Sequence, residues 1–184
     1  MTTISKNPYT GSIKSIVGED YHCHYGKENF PISYENKTVL DLGAWWGDSS
    51  EYFIVQGAKL VIAVDQGAMS GNINNYICLE ENSKNFEGKM IPILVDINSS
   101  LQIETLIEKY KPDIVKSDIE GAESNLFAIK DEIWNLVPEY IVECHCTGLH
   151  EQMLEKCKKN NYEIIKDLPI FNNMIYAIKS GSKS

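Results

Sequence analysis

Short apolar runs alternate with longer segments of mixed polar and apolar residues along the central part of the chain. The runs are rich in Val, Ile and Leu, which is typical of strands that are buried on both faces of a parallel sheet. We predict strands at 37–42, 60–65, 90–95, 113–117 and 140–144. Between them, apolar residues at helical spacing predict helices at 49–56, 75–85, 100–110, 123–136 and 149–160.

The pattern changes after Asn160, where two strand-like pieces at 162–167 and 174–179 are joined by a short segment that contains Pro169. Parallel strands need a crossover of about a dozen residues, and this segment has no room for a helix. The pair is therefore expected to form an antiparallel hairpin. The predicted fold class is α/β, a doubly wound and mostly parallel sheet that ends in this hairpin, with helices on both faces.

Composition and charge restrict the class of protein. The chain has 184 residues, which predicts one domain at 37–179, preceded by a short segment at 1–36 and followed by a tail at 180–184. It carries 17 lysines, no arginine and 26 acidic residues, for a net charge of −9. Nucleic-acid surfaces need clustered cations, and arginine fits phosphate and guanine best, so no nucleic-acid partner is expected.

No apolar stretch approaches the roughly 20 residues that cross a bilayer, and the polar N-terminus lacks a signal-peptide core. Five cysteines are too few for a disulfide framework in a chain of this length, and their odd number suits a reducing compartment. We therefore expect a soluble, cytoplasmic protein with no membrane partner.

The turn after the first predicted strand, at 41–50, carries the glycines that a parallel sheet places beside its ligand. Gly43 and Gly47 have Gly-x-x-x-Gly spacing, which differs from the Gly-x-Gly-x-x-Gly of dinucleotide enzymes. Asp41 stands two places before the first glycine. A carboxylate there disfavours a pyrophosphate and favours a cationic ligand with an ammonium and a sulfonium group.

The next two strands end in further polar residues. Asp65 is positioned to accept the hydroxyl groups of a ribose, and Asp96 with Ile97 suits an adenine amino group and ring. Each piece alone is more often a simple turn or a cap, but together they predict a pocket for S-adenosylmethionine. The predicted cofactor residues are Asp41, Gly43, Ala44, Trp45, Gly47, Asp65, Gln66, Asp96 and Ile97.

These residues resemble the class I S-adenosylmethionine-dependent methyltransferases, and one motif narrows the resemblance. The segment 116–123, KSDIEGAE, is similar to the Lys-x-Asp-(Val/Ile)-Glu-Gly-x-Glu signature of FkbM-type methyltransferases. With 39–50 and Asp65, the resemblance extends from residue 37 to about residue 145. It implies a Rossmann-like, seven-stranded sheet with a reversed last strand, and O-methylation of a hydroxyl on a small-molecule or sugar-like acceptor. Trp45 and Ser117 depart from the family, which commonly has Asn and an aliphatic residue there.

The candidate catalytic residues are Asp118, Glu143 and His145, at the ends of the fourth and fifth strands. A carboxylate beside a histidine in a water-poor crevice can act as a general base, so we expect Asp118 or His145 to be the base. In the alternative interpretation, Lys116 pairs with Glu143 or Asp118 and serves only structure. For Glu123 we favour a purely structural role at the start of the next helix.

His22 and His24 share a face if their segment is extended, and together with the candidate base they could hold a metal ion. No second metal-spaced cluster is present, so no metal is expected, and this segment is interpreted as a lid over the acceptor. Either Trp45 or Trp46 is expected to form a wall of the cofactor pocket, and Trp134 is expected in the core.

The sequence thus favours a methyltransferase that acts on a small molecule. A catalytically inactive S-adenosylmethionine-binding protein, working as a partner or sensor, is an alternative. An NAD(P)-dependent oxidoreductase is disfavoured by the missing third glycine and by Asp41.

Overall fold

The computed structural model describes residues 4–6, 13–15, 31–70, 73–168 and 174–181. The predicted lid, including His22 and His24, lies outside the described residues. Near the N-terminus, β1 (Ile4–Lys6) and β2 (Ile13–Ser15) form a separate antiparallel pair.

The remaining elements alternate between strands and helices. In chain order they are β3 (Thr38–Leu42), α1 (Asp48–Val55), β4 (Leu60–Asp65), β5 (Met69–Ser70), β6 (Ile73–Asn74), α2 (Asn75–Ser83), β7 (Met90–Leu94), α3 (Ser100–Tyr110), β8 (Ile114–Ser117), α4 (Glu123–Phe127), α5 (Asp131–Trp134), β9 (Glu139–Glu143), α6 (Thr147–Lys159), β10 (Tyr162–Leu168) and β11 (Met174–Lys179). A 3₁₀ turn at Lys84–Phe86 follows α2.

Seven strands form the main sheet in the order β10-β11-β9-β8-β3-β4-β7. All neighbours are parallel except β11, which is antiparallel to both β9 and β10. The predicted α/β fold class, with its antiparallel C-terminal hairpin, is confirmed. The division of the chain into an N-terminal segment, a domain and a tail stays a prediction.

The single helix predicted at 123–136 is wrong, because the structure has two short helices there, α4 and α5. The chain leaves the helical conformation at Lys130, whose backbone is extended. Its N–H donates to Oε1 of the buried Glu104 on α3 at 2.9 Å. A side-chain acceptor on a neighbouring helix thus replaces the helical hydrogen bond of this N–H. The break could not be predicted from the spacing of apolar residues, because it depends on a contact between two helices.

Alternate residues of the central strands pack on opposite faces of the sheet. In β3, Leu40 and Leu42 face a core that also contains residues of α3 and α6, whereas Val39 packs with Tyr52 and Phe53 of α1. Helices therefore cover both faces, as predicted, and Trp134 is fully buried in the first core, also as predicted. Among the described residues, no helix is long and apolar enough to cross a membrane.

Candidate functional site

A cavity of about 370 Å³ lies outside the carboxyl ends of β3, β4, β7 and β8. This volume falls within the range of small-molecule sites, and the position is the one at which open parallel sheets bind ligands. Of the nine predicted cofactor residues, six line the cavity: Gly43, Trp45, Asp65, Gln66, Asp96 and Ile97.

The other three predicted cofactor residues do not line this cavity. Ala44 is fully buried in a small apolar cluster with Ala63 and Leu79. Gly47 has a left-handed backbone, with φ of 92°, and a Cβ there would lie 2.9 Å from Leu79 Cδ1. Its role in the structure is to let the chain turn tightly into α1.

Asp41 requires a larger correction, because it does not present a negative charge to a ligand. It is fully buried, and its Oδ2 accepts hydrogen bonds from the hydroxyls of Ser49 and Ser50, each at 2.6 Å. Its Oδ1 lies 3.0 Å from the ammonium of Lys116, which is also buried. Alternation along β3 turns Asp41 toward α1, while strand register places Lys116 of β8 directly beside it.

Lys116 also holds the loop at 43–47, which joins β3 to α1 and is called the cofactor loop below. Its ammonium donates to the carbonyl oxygen of Gly43 at 2.9 Å, and it lies at the floor of the cavity. Of the described carboxylates, that of Asp41 is nearest to this ammonium, and Asp118 Oδ2 lies farther away, at 3.9 Å. Glu143, which the sequence offered as a partner of Lys116, is not part of the Lys116–Asp41 ion pair. The buried ion pair of Lys116 and Asp41 therefore anchors the cofactor loop.

Gly43 is required by a close approach of two loops. Its φ is 77°, and a Cβ added there would lie 1.7 Å from the carbonyl oxygen of Asp118. Any side chain would push apart the loops that follow β3 and β8. This glycine therefore keeps the cofactor loop against the loop that carries the candidate base.

Both carboxylate oxygens of Asp65 are held by backbone amides. Oδ2 accepts from the N–H of Trp45 at 3.0 Å, and Oδ1 accepts from the N–H of Gly67 at 2.7 Å. Burial raises the pKa of Asp65, and these hydrogen bonds together with the charge of Lys116 offset that increase only in part. The carboxylate faces the cavity in a fixed orientation, with further lone pairs able to accept from the hydroxyls of a ribose.

The two tryptophans of the loop stack on each other, with ring centroids 4.4 Å apart and an angle of 16° between the planes. Trp45 lines the cavity and is 40% exposed, so it forms an aromatic wall of this cavity, and its contact with the cofactor stays a prediction. Trp46 lies behind it, and its indole Nε1 donates to Oδ1 of Asn75 at 3.0 Å.

The predicted catalytic residues come together at the edge of this cavity. His145 Nε2 lies 3.5 Å from Asp118 Oδ1 and 3.9 Å from Glu143 Oε1. Glu120 also approaches Nε2, at 3.5 Å, although most of its side chain is exposed. Of these residues, Asp118 and Glu120 line the cavity.

Glu123 has a second function that sequence reasoning missed. It is fully buried, and its Oε1 accepts hydrogen bonds from the N–H groups of Ile119 and Gly121 and lies 2.9 Å from His145 Nδ1. This contact directs Nε2 of the imidazole toward Asp118. The motif 116–123 includes Glu123, but its contact with His145 depends on β8 and β9 being neighbours.

Opposing effects act on the pKa of His145. Partial burial lowers it, but the charges of Glu123 and Asp118, a hydrogen bond to Glu123 and the charge of Glu120 together outweigh burial. The pKa of His145 is therefore raised above its ordinary value.

Sequence reasoning also missed several cavity residues, including Asp48, Ser49, Asn75 and Lys116. Asp48 and Ser49 carried a signal, because they directly follow the second glycine of the loop. Asn75 did not, because it lies at the start of α2, away from the ends of the strands that the sequence predicted.

A family comparison decides the class of protein. Residues 24–161, more than half of the chain, match the model for FtsJ-like methyltransferases. This protein belongs to the FtsJ-like methyltransferase family. A search of curated proteins gives no match. The family that matches is the FtsJ-like one, and the resemblance to FkbM-type enzymes stays a prediction.

Solved structures share the fold of this FtsJ-like methyltransferase at low sequence identity. The ribosomal protein L11 methylase from Lactobacillus delbrueckii subsp. bulgaricus has a TM-score of 0.58 and 15% identity, covering 81% of this chain and 72% of its own. The Aeropyrum pernix fibrillarin with natively bound S-adenosyl-L-methionine has a TM-score of 0.55 and 16% identity, covering 79% and 68%. A candidate RNA methyltransferase from Pyrococcus horikoshii, PH1948, has a TM-score of 0.55 and 18% identity, covering 79% and 76%.

The cofactor of this FtsJ-like methyltransferase is S-adenosylmethionine, as predicted, and the residues present fit it. Among the described residues, the cavity is lined by five carboxylates, Asp48, Asp65, Asp96, Asp118 and Glu120, and by one lysine, Lys116. A mostly acidic lining suits a ligand with a sulfonium and an ammonium group. Asp65 and Ile97 offer the polar and apolar contacts expected for the adenosine moiety.

Proposed function

We propose that this FtsJ-like methyltransferase methylates a hydroxyl group on a small-molecule or sugar-like acceptor. One observation carries the proposal: Asp118 lines the cofactor cavity and lies 3.5 Å from His145 Nε2. A candidate proton acceptor therefore lies in the cavity that is proposed to hold the cofactor. The resemblance of segment 116–123 to FkbM-type methyltransferases supports the same chemistry.

The bound cofactor supplies an activated methyl group. Asp118 accepts the proton of the acceptor hydroxyl, since among the three predicted catalytic residues it is the one that lines the cavity. His145 and Glu143 position this carboxylate. Asp65 and the loop at Gly43 hold the cofactor against the sheet edge, and Trp45 covers one side of the cavity.

Charge supports a small acceptor over a nucleic acid. The net charge is −9 without any arginine, and the cavity lining is acidic. A phosphate backbone at this surface would meet carboxylates instead of the clustered cations that bind it. We therefore propose a neutral or cationic hydroxylated small molecule, and no nucleic-acid or membrane partner.

A cytoplasmic location is part of the same proposal. Three described cysteines, Cys78, Cys146 and Cys157, are free thiols. Unpaired cysteines suit a reducing compartment.

The proposed function is tested by offering radiolabelled S-adenosylmethionine together with hydroxylated metabolites, sugars and RNA in parallel. Transfer to a small-molecule hydroxyl is expected, and Asp118→Asn should reduce turnover by about 100-fold or more while keeping cofactor binding. Asp167→Asn is the matched control, because Asp167 contacts a different histidine, His150, at 3.0 Å. Transfer to RNA alone, or full turnover by Asp118→Asn, would contradict the proposal.

A further inference from the structure

Three side chains beside the cofactor cavity each offer one donor atom within 4.8 Å of the others: Asp118, Glu143 and His145. The imidazole Nε2 lies 3.5 Å from the Asp118 oxygen and 3.9 Å from the Glu143 oxygen. Divalent ions bind oxygen and nitrogen ligands at roughly 2.0–2.6 Å, so donors at this spacing need to move little to share one ion.

Glu123 gives an independent indication of a cation. It holds Nδ1 of His145 at 2.9 Å, and metal-binding histidines almost always have their other ring nitrogen held by such a partner. Glu123 is fully buried, and its second oxygen, Oε2, has no hydrogen-bond partner within the described part of the chain. A buried carboxylate with one unpartnered oxygen is costly unless a positive charge lies nearby.

The charges around His145 also favour a bound cation, because most of them are negative. Four carboxylates surround this one imidazole, those of Asp118, Glu120, Glu123 and Glu143. Lys116 lies 3.9 Å from Asp118 but is closer to Asp41, at 3.0 Å. The chain has no arginine. Within the described part of the chain, the carboxylates around His145 outnumber the single positive charge that its imidazole can carry, and a divalent cation would offset part of this excess.

We propose that Asp118, Glu143 and His145 bind one divalent cation at the edge of the cofactor cavity, where it contacts the oxygen of the acceptor. This inference rests on the proposed function and deepens it. Two carboxylate ligands and one imidazole favour a first-row ion such as Mn²⁺ over Mg²⁺. Such an ion acidifies a coordinated hydroxyl and thereby selects acceptors whose oxygen reaches the ion.

The test is titration of the chelator-treated full chain with Mn²⁺ alone, followed by calorimetry and by the electron paramagnetic resonance signal of free Mn²⁺. One ion per chain is expected. His145→Ala and Glu143→Gln should each weaken Mn²⁺ binding at least 10-fold, and Glu123→Gln should weaken it by roughly 10- to 100-fold. Neither His145 nor Glu143 lines the cofactor cavity, so S-adenosylmethionine affinity should stay within about 2-fold in both variants.

His150→Ala is the matched control, because it removes another partly buried histidine that contacts a carboxylate outside the cluster. It should leave Mn²⁺ affinity unchanged. The proposal is overturned if the wild-type chain binds no Mn²⁺ at millimolar concentration, or if His145→Ala and Glu143→Gln both bind as tightly as the wild type. Two variants, one at the last residue of β9 and one just beyond it, guard against a folding defect in either one.

Failure of this proposal is distinguishable from failure of the proposed function. A chain that binds S-adenosylmethionine and methylates a hydroxyl with excess chelator, but takes up no Mn²⁺, keeps the function and loses the metal site. A chain that binds one Mn²⁺ through these residues but transfers no methyl group to any hydroxyl keeps the site and loses the function.

Discussion

Trp45 combines two properties that make it a reporter of the cofactor. It lines the cavity, and it is exposed enough for a ligand to change its surroundings. We predict that S-adenosylmethionine changes the tryptophan fluorescence and that Trp45→Phe abolishes most of this change. Trp134→Phe is the control, because Trp134 is fully buried in the core and should leave the change intact. Equal responses in the wild type and Trp45→Phe would contradict this position for the cofactor.

The buried pair of Lys116 and Asp41 is predicted to dominate local stability. Lys116→Met removes one partner and leaves Asp41 as an uncompensated buried charge, so the free energy of unfolding should fall by about 3–5 kcal/mol. Lys130→Met is the matched control, since Lys130 pairs with Glu104 but is 69% exposed, and its loss should cost about 1 kcal/mol or less. Urea denaturation measures both. Similar decreases in the free energy of unfolding in the two variants would contradict a dominant contribution of Lys116 to stability.

At the scale of elements, α1 begins with an acidic turn that is buried. Glu51 is 3% exposed and its Oε1 has no hydrogen-bond partner among the described residues. Burial, and then the neighbouring charge of Asp48, raise the pKa of Glu51 to about 7. The folded state therefore binds this proton more tightly than the unfolded state, whose glutamates have a pKa of about 4.3.

This pKa predicts a loss of stability toward alkaline pH. The contribution of Glu51 is fully present below about pH 4 and is lost as the pH rises through about 7. Glu51→Gln keeps a neutral side chain, so between pH 5 and pH 8.5 it should lose about 1–3 kcal/mol less than the wild type. Urea denaturation across this pH range is the measurement. Glu151→Gln, at an exposed position of α6, is the control and should follow the wild type.

The secondary-structure elements are the features that the sequence predicted best. Each apolar run became a strand with shifts only at its ends, because a strand buried on both faces must be apolar along its length. The hairpin of β10 and β11 followed from a linker too short for a crossover. The break between α4 and α5 was not predictable, because it depends on Glu104 of another helix accepting from Lys130.

At the scale of the whole molecule, part of the negative charge is concentrated at one cavity. Carboxylates at or just beyond the ends of β4, β7 and β8 and at the start of α1 line one cavity, so part of the net charge of −9 is concentrated in the candidate cofactor site. We predict that S-adenosylmethionine raises the thermal midpoint and that NAD and NADP do not. A ligand at 100 times its Kd stabilises the folded state by about 2.7 kcal/mol. Stabilisation by NAD or NADP alone would revive the oxidoreductase alternative.

The amino-acid sequence by itself determined the seven strands of the main sheet, most of the helices and the carboxylates at strand ends, because periodicity and composition act over a few neighbouring residues. Only the tertiary structure decided which charges meet. The position of β3 beside β8 turned Asp41 from an expected cofactor contact into the buried partner of Lys116. The position of β8 beside β9 brought His145 to Glu123 and Asp118. These contacts join residues far apart in the chain, and strand order and register, which no local pattern encodes, set them.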